Sequence, residues 1–163
     1  MKGMGGHQSG KMLNDEWLTP QHIKEPLGQF TTDPCSPEVR PWDTAQLHYS
    51  KVDDGLVQPW FGRVWLNPPY GRDTATWLNK MALHNFGTAL IFARTETDMF
   101  FKYVWGVAEA VLFIKGRLHF CDVKGVPAKA NSGAPSVLIA YGAYDAFKLE
   151  QAGIPGKFIK LKS

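Results

Sequence analysis

The residues best suited to chemistry form one run after the apolar residues 64–66: Asn67-Pro68-Pro69-Tyr70. An amine on an aromatic ring or an acyl group is a poor nucleophile because its lone pair is delocalised. The Asn67 side-chain oxygen and the Pro68 main-chain carbonyl can each accept one of its N–H groups, which localises that lone pair and aims it. We therefore predict a site that holds a planar amine for methyl transfer from S-adenosylmethionine.

The residue types around this run suit the same purpose. Pro68 and Pro69 remove two backbone donors and fix two φ angles, so the turn is stiff. Tyr70 offers an aromatic face to a base taken out of its stack, and Gly71 is expected to let the chain leave closely beneath it. Asn and Pro are also common in ordinary strand-ending turns, so the structural context has to decide.

That context is predicted to be favourable. Residues 61–66 read as a buried strand and residues 74–85 as a helix with one apolar side, which places the motif at the carboxyl end of a strand. The other predicted elements are a helix at 20–27 with Thr19 as its N-cap, strands at 29–32, 88–93, 110–114 and 136–141, and helices at 44–49 and 98–107. The alternation predicts an α/β fold with a mostly parallel, helix-covered sheet.

Length and composition predict one compact domain. The 163 residues are 44% hydrophobic and 20% charged, which suits a single catalytic domain at 14–163 after a loose arm at 1–13. The chain shows neither a membrane-spanning run nor a secretory signal, so we expect a cytoplasmic protein with no membrane partner. Cys35 and Cys121 are too few and too far apart for a metal site, and no metal is expected.

The net charge of +3 is unevenly distributed. Residues 115–129 carry four cations against Asp122, in a long loop broken by glycine and proline, and could meet phosphates. These cations are Lys115, Arg117, Lys124 and Lys129. Residues 148–163 carry four lysines, but a solvated, fraying terminus explains them equally well. The histidines at 22, 48, 84 and 119 are assigned no chemistry.

Six blocks of residues, in order along the chain, carry a family resemblance. They are Asp15-Glu16-Trp17-x-Thr19-Pro20, Asp33-Pro34-Cys35-Ser36, Asp54-Gly55-Leu56 with Trp60, Trp65-x-Asn67-Pro68-Pro69-Tyr70-Gly71, Ala93-Arg94-Thr95-x-Thr97-Asp98-x-Phe100, and Gly116-Arg117-Leu118-x-Phe120. Over residues 14–142 the chain resembles the small phage DNA N-6-adenine methyltransferases of the Dam family. The resemblance implies methyl transfer to the exocyclic amine of adenine in DNA on a Rossmann-like fold. It also implies a phage or prophage origin, where methylation can block host restriction.

The resemblance also implies residue roles. Residues 67–70 match the catalytic motif. Trp17, Thr19 and Pro20 resemble the segment over the methionine part of the cofactor, and Asp33 resembles the acidic residue that ends the first strand, followed by Pro34, Cys35 and Ser36. An Asx turn before Pro34 is the alternative for Asp33.

The cofactor side departs from the usual pattern. Residues 33–37 lack the glycines that such loops usually have, so small Cys35 and Ser36 are expected to substitute. Asp53 and Asp54 are weaker candidates for a ribose contact. We expect the first half of the sheet to be reduced at its edge, with fewer strands than usual before the strand at 61–66.

Arginines that follow strand ends are candidate DNA contacts. Arg117 and Arg94 are the first of these, with Arg72 beside the motif, although Arg94 could instead pair with Glu96 or Asp98. The same motif also serves enzymes that methylate RNA bases or a protein glutamine. An alternative of another class is a non-catalytic nucleic-acid-binding module. The recognition sequence and the oligomeric state are left open.

Overall fold

The computed structural model describes residues 16–163. The expected loose arm at 1–13 lies outside these described residues. Within them the strands form one seven-stranded sheet in the order β2-β1-β3-β4-β6-β5-β7. In chain order they are β1 (Thr32–Asp33), β2 (Leu47–His48), β3 (Val64–Leu66), β4 (Gly87–Phe92), β5 (Ala110–Ile114), β6 (Ser136–Tyr141) and β7 (Gly156–Lys160).

The sheet is mixed rather than mostly parallel. Strands β2, β1, β3 and β4 are parallel neighbours, whereas β6 runs antiparallel between β4 and β5, and β7 is antiparallel to β5. The α/β class is confirmed, but the parallel prediction holds only for the first half. Between β5 and β6 the chain returns through a loop at 115–135 instead of a helical crossover, and parallel pairing requires such a crossover.

The first half of the sheet is small. In the described part of the chain, two strands of two residues each, β1 and β2, precede β3. A complete half of a doubly wound sheet has three strands. This edge therefore has the reduced form that the sequence suggested.

Helices cover the sheet. They are α1 (Gln21–Lys24), which continues as a 3-10 turn (Glu25–Leu27), α2 (Thr74–His84), α3 (Asp98–Phe100), which continues as a π-helical segment (Phe101–Trp105), and α4 (Ala143–Gln151). The helices predicted at 20–27, 74–85 and 98–107 are confirmed with small shifts at their ends. Helix α4 and strand β7 were not predicted, and β7 pairs with β5 where the sequence suggested a fraying terminus.

The helix predicted at 44–49 is wrong. Leu47 and His48 form β2 and pair with Thr32 and Asp33. The Leu47 amide donates to the Thr31 carbonyl at 2.9 Å, so the backbone groups that a helix would use are bonded to a distant strand. Tertiary pairing has overridden the local pattern.

Two apolar clusters bury both faces of the sheet. Successive residues of β3 point to opposite faces, so Trp65 joins one cluster and Val64 and Leu66 join the other. Helices α1 and α4 contribute to the Trp65 cluster, while α2 and α3 contribute to the opposite one. The strand that leads into residues 67–70 is therefore fixed on both sides.

A buried ion pair anchors the amino end of β3. Arg63 donates through Nε to Asp145 Oδ2 at 2.8 Å and through Nη1 to the carbonyls of Leu27 and Gln29 at 2.7 and 3.0 Å. The Thr88 hydroxyl donates to the same Asp145 oxygen at 2.6 Å. Burial raises the pKa of Asp145, against the lowering effect of these partners. The Arg63 guanidinium thus joins residues 27–29, strand β3 and helix α4.

Replacing Arg63 with methionine should lower the free energy of unfolding by about 3–5 kcal/mol, because Asp145 would remain as an uncompensated buried charge. Urea denaturation measures the loss. The matched control is the double variant Arg63→Met/Asp145→Val, which removes both charges and should recover most of it. A double variant no more stable than the single one would contradict this account.

Candidate active site

The candidate site lies where the strand order reverses. From β1 the chain continues to β2 on one side of the sheet and then to β3 on the other, and α/β folds bind ligands outside the carboxyl ends of strands at such a point. Asp33 ends β1 and Asn67 follows β3, with Thr32 paired to Val64 between them. The fold therefore brings the two predicted halves of the site side by side.

The Asn67 amide is bonded at both ends. Its Nδ2 donates to Thr19 Oγ1 at 3.3 Å, and the Tyr70 hydroxyl donates to its Oδ1 at 3.4 Å. Thr19 is buried, and it is not the N-cap of α1, because Pro20 holds that position with no side-chain capping bond. The capping prediction is wrong, since the Thr19 hydroxyl faces Asn67 instead.

Backbone bonds fix the segment that carries Thr19. The Leu18 amide donates to the Cys121 carbonyl at 2.7 Å, and the Cys121 amide returns a bond to the Leu18 carbonyl at 2.8 Å. Neighbouring Trp17 packs against the Trp65 cluster. The loop at 115–135 thus supports the segment next to Asn67.

The turn after β3 is held by side-chain and backbone geometry. The Thr74 hydroxyl donates to the Pro69 carbonyl at 2.6 Å and ties the turn to the start of α2. Gly71 has φ +126°, and a Cβ added there would meet nothing within 4 Å. Glycine is required here by the backbone conformation, not by the close approach that the sequence suggested.

Tyr70 lies within an aromatic group. Its ring stacks on Phe92 with centroids 4.1 Å apart and planes at 16°, and Phe120 approaches edge-on at 6.4 Å. One face of Tyr70 is therefore already covered, although the residue is 40% exposed. Sequence reasoning gave Phe92 and Phe120 no role. The available signals were that Phe92 lies near the end of a predicted strand and that Phe120 closes the last of the six blocks that carry the family resemblance.

The Tyr70 hydroxyl is a proton donor here. Its pKa is raised, chiefly by desolvation and further by the nearby Cys35 thiol. We assign the desolvation to the hydroxyl end, which points at Asn67, since the residue as a whole is partly exposed.

Asp33 is buried at the end of β1. Its Oδ1 accepts from the Cys35 amide at 3.1 Å, and its Oδ2 accepts from the Thr44 hydroxyl. The Asx turn that was the alternative for Asp33 is therefore present. Burial raises the pKa of Asp33 to about 6, although both hydrogen bonds and the Lys24 charge act to lower it.

Lys24 and His48 are neighbours of Asp33: the Lys24 charge acts on its carboxyl group, and His48 pairs with Asp33 in the sheet. The Lys24 ammonium lies 4.8 Å from the centre of the Phe30 ring, and burial lowers its pKa to about 8. His48 Nε2 accepts from the Thr44 amide at 3.1 Å, so this histidine supports the Asp33 loop. Neither residue was predicted to contribute, because sequence spacing does not reveal their proximity to Asp33.

Residues 33–37 contain no glycine, but a glycine from another loop packs closely against them. A Cβ added at Gly55 would lie 1.8 Å from the Pro34 carbonyl oxygen, so the close approach occurs from another loop. Asp53 accepts from the Ser50 amide at 2.9 Å and Asp54 has φ +57°. Both aspartates are exposed and shape this turn.

The predicted cations gather at the same edge. Strands β3, β4 and β5 run in one direction, and Arg72, Arg94 and Arg117 follow their carboxyl ends. All three arginines are exposed, as are Lys115, Lys124 and Lys129. Arg117 donates to the Gly133 carbonyl at 3.0 Å across the loop. Asp98, the suggested partner of Arg94, pairs with Lys102 at 3.1 Å instead.

The described residues also limit other kinds of site. Across residues 16–163, no three His, Cys, Asp or Glu side chains are grouped so as to hold a metal ion. In the same part of the chain, no helix has the length and apolar character to cross a bilayer.

The fold and site define a mixed α/β protein with one sheet, compatible with a Rossmann-like methyltransferase. A family model described as DNA N-6-adenine-methyltransferase (Dam) matches residues 6–151. The chain belongs to this family, which confirms the resemblance to the Dam family and implies methylation of adenine N6 in DNA. No curated protein and no solved structure matches the chain.

Asp33 should make stability depend on pH. Its pKa is about 6 in the fold against an ordinary 3.8, so the folded state holds this proton more tightly and stability falls as pH rises through that window. Above that window the full cost of ionising the buried Asp33 carboxyl group is present, about 3 kcal/mol. Urea unfolding should show that Asp33→Asn gains stability relative to the wild type as the pH rises from about 4 to about 7.

The exposed Asp53→Asn variant is the matched control and should show no such shift. A difference between the wild type and Asp33→Asn that is constant across this range would refute the assignment.

Proposed function

We propose that this protein is an S-adenosylmethionine-dependent DNA methyltransferase that acts on an adenine turned out of the duplex. The observation that carries the proposal is the Asn67 amide, held between Thr19 and Tyr70 at the carboxyl end of β3. Its Oδ1 points to Tyr70 as an acceptor beside an aromatic ring. A planar exocyclic amine on a flipped base needs these two features.

The buried Asp33 carboxyl group at the end of β1 suits a polar, partly cationic cofactor. The Asp33 carboxylate is buried there with one protein hydrogen bond to each oxygen, and each oxygen has capacity for a second. We assign cofactor binding to Trp17, Thr19, Pro20, Asp33, Pro34, Cys35, Ser36 and Asn67. When bound, this cofactor supplies a methyl group on a sulfonium centre.

The residues of the motif turn act on the amine. Asn67 Oδ1 accepts one N–H and the Pro68 carbonyl accepts the other, so the lone pair is localised on nitrogen and directed out of the base plane. The Tyr70 ring supports the base by stacking, with Phe120 at its edge. Because Phe92 covers one face of Tyr70, the base stacks on the other face or displaces Phe92.

The exposed cations at the carboxyl edge form the proposed DNA surface. They are Arg72, Arg94, Lys115, Arg117, Lys124 and Lys129. Phosphate contacts from such residues position a duplex without reading its sequence. The resemblance to phage enzymes supports a bacteriophage or prophage origin, action in the host cytoplasm and protection of DNA from host restriction.

Replacing Asn67 with alanine should lower methyl transfer at least about a hundredfold, because a preorganised acceptor is lost. Affinity for S-adenosylmethionine, measured by calorimetry, should change little. The exposed Asn79→Ala on α2 is the matched control and should keep full activity. Retained turnover in Asn67→Ala would refute the assigned role.

The substrate is tested by offering labelled S-adenosylmethionine with DNA, RNA or protein. We expect label on adenine in DNA alone. Label on RNA bases or on a protein glutamine would replace the proposed substrate. DNA binding without cofactor binding would leave a non-catalytic nucleic-acid-binding module.

Replacing Arg117 with glutamine should weaken DNA binding and lower the slope of log K against log salt by about 0.9, since one phosphate contact is lost. The fluorescence anisotropy of a labelled DNA duplex, followed at several salt concentrations, gives both the affinity and this slope. The control is Lys160→Gln, because Lys160 pairs with Ala110 at the opposite end of β5. An unchanged slope for Arg117→Gln would move the DNA surface elsewhere.

A further inference from the structure

We infer that Phe92 is a positioning residue for the reaction: its ring stays against Tyr70 and holds the plane on which the target base stacks. The base then lies on the face of Tyr70 that Phe92 leaves open. The inference rests on the proposed function, in which Tyr70 stacks on an adenine turned out of the duplex. Phe92 is thus kept in place and is not displaced by the base.

The rings of Phe92 and Tyr70 are stacked and nearly parallel. Their centroids are 4.1 Å apart and their planes meet at 16°, so Phe92 covers one face of Tyr70 and limits its tilt. The Tyr70 hydroxyl, bonded to Asn67 Oδ1 at 3.4 Å, holds the other end of the side chain. A base stacked on the open face lies parallel to Tyr70, and therefore to Phe92. The plane in which the target amine meets Asn67 is thus set by Phe92.

The position of Phe92 is fixed by its surroundings. Phe92 ends β4, which pairs with β6 up to this residue, and beyond it the Ala93 amide donates to the Pro135 carbonyl at 2.9 Å. The Phe92 side chain packs against the Trp65 cluster, and the Arg94 guanidinium lies over its ring, 5.6 Å from the centre. Because backbone and ring are both held, the stacking plane exists before the base arrives, which is the preorganisation that positioning requires.

A ring that only blocked the site would act in the opposite direction. If the base had to displace Phe92, the stack would oppose substrate binding, and removing the ring would speed methyl transfer. If Phe92 stays against Tyr70, removing the ring frees the tilt of Tyr70 and slows methyl transfer. The sign of the change in rate therefore distinguishes the two.

Phe92→Leu tests the inference, because leucine keeps an apolar side chain and removes the ring. Single-turnover methyl transfer from labelled S-adenosylmethionine to saturating plasmid DNA should slow about threefold to tenfold, as for loss of one aromatic pair. Affinity for S-adenosylmethionine, measured by calorimetry, should be unchanged. Phe92→Tyr, which keeps the ring, should restore the rate. An unchanged or faster rate in Phe92→Leu would overturn the inference.

Phe158→Leu is the matched control for the loss of a packed ring. Phe158 is half-buried like Phe92 and packs against the same Trp65 cluster, but from β7 at the far edge of the sheet. We expect both variants to unfold at lower urea concentration, whereas Phe92→Leu alone slows methyl transfer. Equal slowing in Phe158→Leu would show a general effect of core packing and would overturn the inference.

A Tyr70→Leu background shows whether Phe92 acts through Tyr70. Tyr70→Leu removes the stacking ring and should itself slow methyl transfer. In that background Phe92→Leu should change the rate by less than about twofold, because the ring that Phe92 positions is absent. Independent effects, in which the two losses multiply in the double variant, would overturn the inference.

The two proposals fail differently. Turnover in Asn67→Ala, or a full rate in Tyr70→Leu, counts against the proposed function. A slow Tyr70→Leu together with a wild-type rate in Phe92→Leu removes the role of Phe92 alone.

Discussion

A single buried arginine holds together the parts of the chain on which the site depends. Arg63 bonds to the carbonyls of Leu27 and Gln29 and to the Asp145 carboxylate. Removing either charge would leave the other buried without its partner, which is costly, so this cluster holds three segments together. Strand β3 starts one residue later and leads directly to Asn67. The constraint lies at the amino end of β3, which leaves the carboxyl end for the polar groups of the candidate site.

At that carboxyl end, the same few contacts connect the segment that carries Thr19, the Asn67 amide and the loop at 115–135. Thr19 bonds to Asn67, and its neighbour Leu18 pairs with Cys121 in the loop at 115–135. Arg117 bridges that loop by its bond to Gly133. A displacement of this loop would therefore reach the Asn67 amide through one short backbone segment.

Two ionisable groups near the end of β1, Asp33 and Lys24, are under opposing influences. Burial raises the pKa of Asp33 to about 6 and lowers the pKa of Lys24 to about 8, because it disfavours the charged form of each. Each charge acts to offset that effect on the other. Groups whose pKa values are perturbed by burial are typical of functional sites, and here they lie on the side of the switch point that the resemblance assigns to the cofactor.

The sequence by itself determined the α/β class, the strands at 110–114 and 136–141, the helix from Thr74 and the place of residues 67–70 after a buried strand, because periodicity and turn chemistry act locally. Only the tertiary structure decided that residues 47–48 form a strand, that the terminus forms β7, that Phe92 covers Tyr70 and that Thr19 bonds to Asn67. The physical reason is separation along the chain. Each of these contacts joins residues more than ten positions apart, and no local pattern records which distant partner a backbone group, ring or hydroxyl will meet.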